Sequence, residues 1–176
     1  MKLVKFETTL FLALMTTFAA QPSSKGAPPL AHTETAFDLT LHAQMNSVAP
    51  LFGAEKERAW AGGEWNPVFI YPLPAGDKKG AVYTIQHGEH LATWICTAFD
   101  LELGHVQYAY IIPEVMVTLI DIQLSKGDAN TTAAHVVYQR TALTLEGNEH
   151  VNHFAESDRK AGPDWEQAIN KYIGGR

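Results

Sequence analysis

Between Leu91 and Leu143 the chain passes through four stretches in which apolar and polar residues largely alternate: Leu91 to Phe99, Val106 to Ile112, Val115 to Leu124 and Thr132 to Leu143. A period of two marks strands with one buried face. The joints are more restrictive than the strands. They are Asp100-Leu101-Glu102-Leu103-Gly104, the short break at Pro113, and Lys126-Gly127-Asp128-Ala129-Asn130. A parallel crossover needs about a dozen residues or more, so antiparallel pairing of consecutive strands is expected. Val68 to Tyr71 and Ala81 to Gln86 flank the turn Pro74-Ala75-Gly76-Asp77 and read as a hairpin. Phe37, Leu39 and Leu41, alternating with Asp38, Thr40 and His42, mark a first strand. The expectation is a strongly curved antiparallel sheet of about six or seven strands.

After these strands the period changes. Val151, Phe154, Ala155, Ala161, Trp165, Ala168, Ile169 and Tyr172 follow one face of a helix with about 3.6 residues per turn. Gly162-Pro163 interrupts the run without breaking its phase, which predicts one long kinked helix, the alternative being two consecutive helices. Near the start, Met45 to Phe52 and Ala54 to Trp60 form a short helical pair, broken around Gly53 and stopped by Gly62 and Gly63. The class is α+β.

Residues 1–20 carry Lys2 and Lys5, an apolar run from Leu10 to Phe18, and the small pair Ala19-Ala20, the pattern of a secretory signal peptide with cleavage after Ala19 or Ala20. The alternative, to which Glu7 in the basic head points, is an N-terminus that is disordered or adsorbed to a membrane surface. The run is shorter than the roughly 20 residues a spanning helix needs, so no stable membrane insertion is expected once the signal is removed. Residues 21–33, rich in Pro, Ser and Gly, read as a flexible linker, leaving 34–176 as the folded domain of a secreted or periplasmic protein. Thirteen Lys plus Arg against nineteen Asp plus Glu give a net charge of −6, which argues against nucleic acid as a partner.

Such a sheet and helix can meet in two ways. The helix packs flush and fills the concavity, or it bridges the rim and leaves a pocket. Bulky aromatics with a polar tip favour a pocket, an ordinary aromatic core being the alternative. The order of elements comes with particular words: Val48-Ala49-Pro50-Leu51-Phe52-Gly53, Glu57-Arg58-Ala59-Trp60-Ala61-Gly62-Gly63-Glu64-Trp65-Asn66-Pro67, Thr93-Trp94-Ile95, Tyr138-Gln139-Arg140-Thr141-Ala142-Leu143 and Trp165-Glu166-Gln167-Ala168-Ile169. Over about residues 35–173 the chain resembles the SRPBCC superfamily of START-like, polyketide cyclase and lipid-transport proteins. The resemblance implies a helix-grip fold, also seen in birch-pollen-allergen-like proteins, with a hydrophobic tunnel between sheet and C-terminal helix. No universal catalytic motif of that superfamily transfers to these residues.

The expected cavity wall is Trp60, Trp65, Tyr83, Trp94, Tyr108, Tyr110, Tyr138, Arg140 and Trp165. Arg140 shares a strand face with Val136, Tyr138 and Ala142. On a concave face its guanidinium would pair with a carboxylate or orient a ligand's acidic group; the plainer expectation is a cross-strand pair with Asp121. His87 and His90 in a turn, and His150 and His153 on a helix face near Glu146 and Glu149, have spacings compatible with metal binding, but no further ligands are marked and no metal or cofactor is expected. Cys96, the single cysteine, reads as a buried structural thiol, and Ser47, Ser125 and Ser157 lack a nucleophile-elbow pattern. The function expected is binding of a small apolar or amphipathic molecule (a lipid, isoprenoid or aromatic compound) in an internal cavity. The alternatives are a polyketide-cyclase-like enzyme using pocket His or Tyr in acid–base chemistry, with catalytic residues unknown, and an interaction module whose cavity is filled by its own side chains.

Overall fold

The computed structural model describes residues 28–128 and 130–175. Strand β1 (His32–Leu41) leads into helix α1 (Met45–Val48), a 3-10 turn (Ala49–Phe52) and helix α2 (Ala54–Glu57). Then come β2 (Val68–Tyr71), β3 (Val82–His87), β4 (His90–Asp100), β5 (His105–Ile112), β6 (Met116–Lys126), β7 (Thr132–Ala142) and the 28-residue helix α3 (Gly147–Gly174). The seven strands form one sheet in the order β1-β7-β6-β5-β4-β3-β2, antiparallel at every pairing. This is the architecture expected from the strand periods and the short joints. β1 starts at His32, two residues inside the expected linker, and the signal segment lies outside the described residues.

Alternation along the strands separates two faces. Tyr108, Tyr110 and Ile112 of β5, Ile120 and Ile122 of β6, and Val136 and Tyr138 of β7 point to the buried concave side, while Asp121 and Gln123 point outward. Register then lines up Thr33, Arg140, Thr118, Tyr110, Trp94, Tyr83 and Phe69 as one row across all seven strands.

Helix α3 lies over the β1–β7 side of the sheet. It is continuous through Gly162-Pro163, so the single-helix expectation holds. Pro163 and Asp164 are exposed, which puts the missing backbone donor on the solvent side, where water satisfies the freed carbonyl. α3 also covers the outer edge of β1: Thr40 N donates to Glu166 Oε2 (2.6 Å), His42 N to Asn170 Oδ1 (2.8 Å), and Asn170 Nδ2 to Thr40 O (2.9 Å). The other border of the sheet, β2, has four residues and leaves Val68, Ile70 and Tyr71 exposed.

The helical pair is shorter than the sequence suggests, because its middle tightens into a 3-10 turn at Pro50. Such short helices leave carbonyls without intrahelical partners. Ring donors supply them: Trp60 Nε1 to Leu51 O, Trp65 Nε1 to Ala54 O and Tyr108 OH to Phe52 O, each at 2.8 Å. The N-terminus of α2 is held by Asp77, from the loop before β3, whose carboxylate accepts from Glu55 N (2.8 Å) and Lys56 N (3.2 Å). A Cβ on Gly53 would lie 2.4 Å from the Asp77 carboxyl carbon, so this contact requires glycine there.

Candidate functional site

Because α3 sits over β1 and β7, the far end of the concavity, at the β3–β4 turn, stays uncovered. There a cleft of about 820 Å³ opens between that turn, the residues after α2 and the N-terminal half of α3. Its apolar surface comes from Trp65, Ile85, Ile112, Phe154 and Trp165, and its polar rim from Glu64, His87, Glu89, His90, His150 and His153. The volume falls within the roughly 300–1,000 Å³ range of small-molecule sites. Deeper, between sheet and helix, the space is almost full. A void of about 30 Å³, room for about one water, is lined by Trp94, Tyr108, Ile120, Ile122 and Tyr138. Glu57, Trp65 and Trp165 line both spaces and so form the floor of the cleft and the roof of the void.

The two expected outcomes therefore occur together: α3 packs closely over the middle of the sheet and leaves an opening at one end. Of the nine residues expected to form the wall, Trp65 and Trp165 face the cleft, and Trp94, Tyr108 and Tyr138 reach only the small void. Trp60, Tyr83, Tyr110 and Arg140 line neither. Trp60 borders a separate shallow groove along α3 with Lys160 and Asp164. Tyr83, Trp94 and Tyr110 are consumed by stacking in the cross-sheet row, Tyr83 on Trp94 at 5.9 Å and Trp94 on Tyr110 at 4.3 Å between ring centroids.

Arg140 does not pair with Asp121. Strand parity puts Asp121 on the outer face, bonded by His105 Nε2 (3.0 Å) and Gln107 Nε2 (2.6 Å). Arg140 lies on the concave face and grips Asp158 of α3 through two parallel bonds of 2.7 Å, from Nε and Nη2. Its Nη1 donates to Thr118 Oγ1 (3.0 Å) and to Tyr110 OH, while Thr35 Oγ1 donates to Asp158 Oδ2 (3.3 Å). Burial works against the guanidinium charge, but Asp158 and Tyr110 outweigh it and leave the group's pKa above its ordinary value. Arg140 is thus a clamp between sheet and helix, and its charge is spent before any ligand arrives.

The buried carboxyl that lines the cleft is Glu57. It is 7% exposed, and among the described residues no donor and no cation bonds it. Burial, and then the nearby charge of Asp77, push its pKa well above the usual carboxylate range. Glu57 was visible in the sequence only as an acid three positions after Ala54 and three before Trp60, on the buried side of a short helix. Asp158 carries the same signal, falling in phase with Ala155, Gly162 and Trp165 on the apolar stripe of α3.

The two histidine pairs, one flanking the β3–β4 turn and one near the start of α3, open onto one cleft, with the rings of His90 and His150 at 5.5 Å. Among the described residues no group of three or more His, Cys, Asp or Glu is arranged to hold a metal ion. His87 stacks against Trp94 (6.0 Å) and Tyr110 (5.8 Å); burial, then the charge of Arg140, lower its pKa, and Glu64 opposes this. Among the described residues its Nε2 has no hydrogen-bond partner, and neither do Trp94 Nε1, Tyr83 OH and Thr33 Oγ1. Cys96 is buried beside its cross-strand partner Tyr108, and burial pushes its thiol up to about 11.

A curved seven-stranded sheet gripping a long C-terminal helix, with an aromatic-floored cleft open at one end, is a helix-grip fold. Solved structures share it. Norcoclaurine synthase from Thalictrum flavum, solved in complex with dopamine and hydroxybenzaldehyde, superposes with a TM-score of 0.61 at 12% identity over 84% of this chain and 89% of that one. Ara h 8.0201 gives 0.56 at 11% identity, covering 83% of this chain and 100% of that one. DynU16, from the dynemicin biosynthetic locus, gives 0.53 at 12% identity, covering 80% of this chain and 47% of that one. No protein-family model and no curated protein matches the chain.

Proposed function

We propose that this chain binds a small amphipathic organic molecule in the cleft between the β3–β4 turn and α3, and that it does so as an exported protein. One observation carries the binding reading: an opening of about 820 Å³ whose floor is two indole rings and a carboxyl with no partner. Ring faces supply apolar burial at about 25 cal/mol per Å² before ordering costs, and isolated polar groups fix orientation. The small organic molecules held by the Thalictrum flavum enzyme on the same fold support a guest of this size.

The test is native mass spectrometry of protein purified from its source compartment, together with tryptophan fluorescence titration. A copurified guest is expected, and Ala61→Trp, which adds an indole at the cleft wall, should weaken binding by about tenfold or more. Full-strength binding in that variant would place the guest elsewhere. Export rests on the pattern of residues 1–20; a mature N-terminus at Ala20 or Gln21 is expected, and an intact Met1 in the purified protein would count against it.

A cyclase-type enzyme is the second reading, favoured by one feature. Glu57, biased to its neutral acid form, and His87, biased to its neutral base form, line the same cleft. A guest recovered chemically unchanged after long incubation with the protein would rule this out for that guest.

A further inference from the structure

We propose that the guest of this cleft carries an ammonium group, seated against the Glu57 carboxylate with its apolar body on the faces of Trp65 and Trp165. The inference rests on the binding reading above and narrows it. Glu57 is the one carboxyl shared by the cleft and the void beneath it. A carboxylate taken out of water without a counter-ion or donors is held at a large cost, so natural sites pair it or keep it protonated.

Among the described residues the fold supplies no partner. Asp77 and the hydroxyl-bearing rings of Tyr83, Tyr108 and Tyr138 act electrostatically on Glu57 or are acted on by it, and none is a cation. The buried guanidinium of Arg140 is already committed to Asp158. Around the cleft stand Glu64 and Glu89 together with His87, His90, His150 and His153.

This arrangement discriminates among guests. An anionic head would meet Glu57, Glu64 and Glu89. A neutral head would leave Glu57 protonated and gain one hydrogen bond. An ammonium gains a charge-assisted bond and the negative faces of two indoles at once. It also carries a proton consequence: an ammonium favours the ionised carboxyl, so binding pulls the raised Glu57 pKa down and sends to solvent whatever proton the free carboxyl still holds. Binding therefore tightens as rising pH ionises Glu57 and weakens again once the amine itself loses its proton, near the value of about 10.4 typical of an alkylammonium.

The test uses n-octylamine, n-octanol and octanoate on the full chain, read by tryptophan fluorescence and by calorimetry in two buffers of different ionisation enthalpy. At pH 8 octylamine should bind about tenfold more tightly than octanol and octanoate most weakly, with up to about one proton released per amine bound and none per alcohol. In Glu57→Gln the amine preference and the proton release should vanish while octanol binding persists. Equal or tighter octanol binding, an amine preference that survives in Glu57→Gln, or amine binding to the unaltered chain without proton release at any pH from about 5 to about 8 would overturn the proposal; the last does not depend on any variant folding. Octanol or octanoate binding without a preference for the amine removes this inference and leaves the binding reading intact. Failure of all three probes removes both.

Discussion

At the scale of single residues, two acids stand where apolar side chains are the rule, and the fold treats them differently. Asp158 is met by Arg140 and Thr35, whereas Glu57 meets nothing that stabilises its charge. The pKa of Glu57 is raised in the folded state, so the protonated carboxyl is the form the fold accepts, and stability falls as pH rises through the raised value. Below about 4.3, where the unfolded chain also holds the proton, that loss is absent. Glu57→Gln is accordingly expected to raise the urea midpoint at pH 8, leave it nearly unchanged at pH 4, and flatten the profile between, as followed by circular dichroism. Cys96 gives a second expectation of known sign. With its thiol pushed up to about 11 and its side chain buried, it should react with a disulfide reagent at pH 8 only after denaturant is added. Both acids were legible as breaks in phase. What the alternation could not supply was the partner, because Arg140 and Asp121 are separated by strand parity. Arg140 faces Thr118 in register, while Asp121, between buried Ile120 and Ile122, faces away.

At the scale of elements, the strands and α3 were legible because each repeats its period over many residues. The helical pair was legible only as helical, since four-residue helices are decided by tertiary partners: Asp77 at one end and three ring donors at the carbonyls. Removing that cap with Asp77→Ala should cost about 1 kcal/mol and lower the melting temperature by about 2–4 °C. The sheet-to-helix clamp is worth more. Arg140→Ala or Asp158→Ala leaves the other charge buried and alone, and each should cost about 3–5 kcal/mol in chemical denaturation, while the double replacement Arg140→Met with Asp158→Leu should cost less than the sum of the two. The same coupling explains the spent rings. Trp60, Trp65 and Tyr108 read as cavity wall because each has a polar tip, and in each case the tip turns out to close a helix end.

At the scale of the whole molecule, the position of α3 decides where space is left beside the sheet. Periodicity fixes that a helix covers a curved sheet but not which strands it covers, and that choice separates a filled middle from an open end. The histidines show the same limit: two pairs read apart in sequence converge only when the β3–β4 turn and the start of α3 come together. The helix has a second effect, on the borders of the sheet. Along β1 the backbone groups of Thr40 and His42 are occupied by Glu166 and Asn170, whereas β2 has its outer side bare. A fibril needs two compatible rims on every unit so that each newcomer offers a fresh template. With one rim obstructed by its own helix, the described residues offer a single bare template, at β2, and an open-ended edge-to-edge stack has no second rim on which to continue.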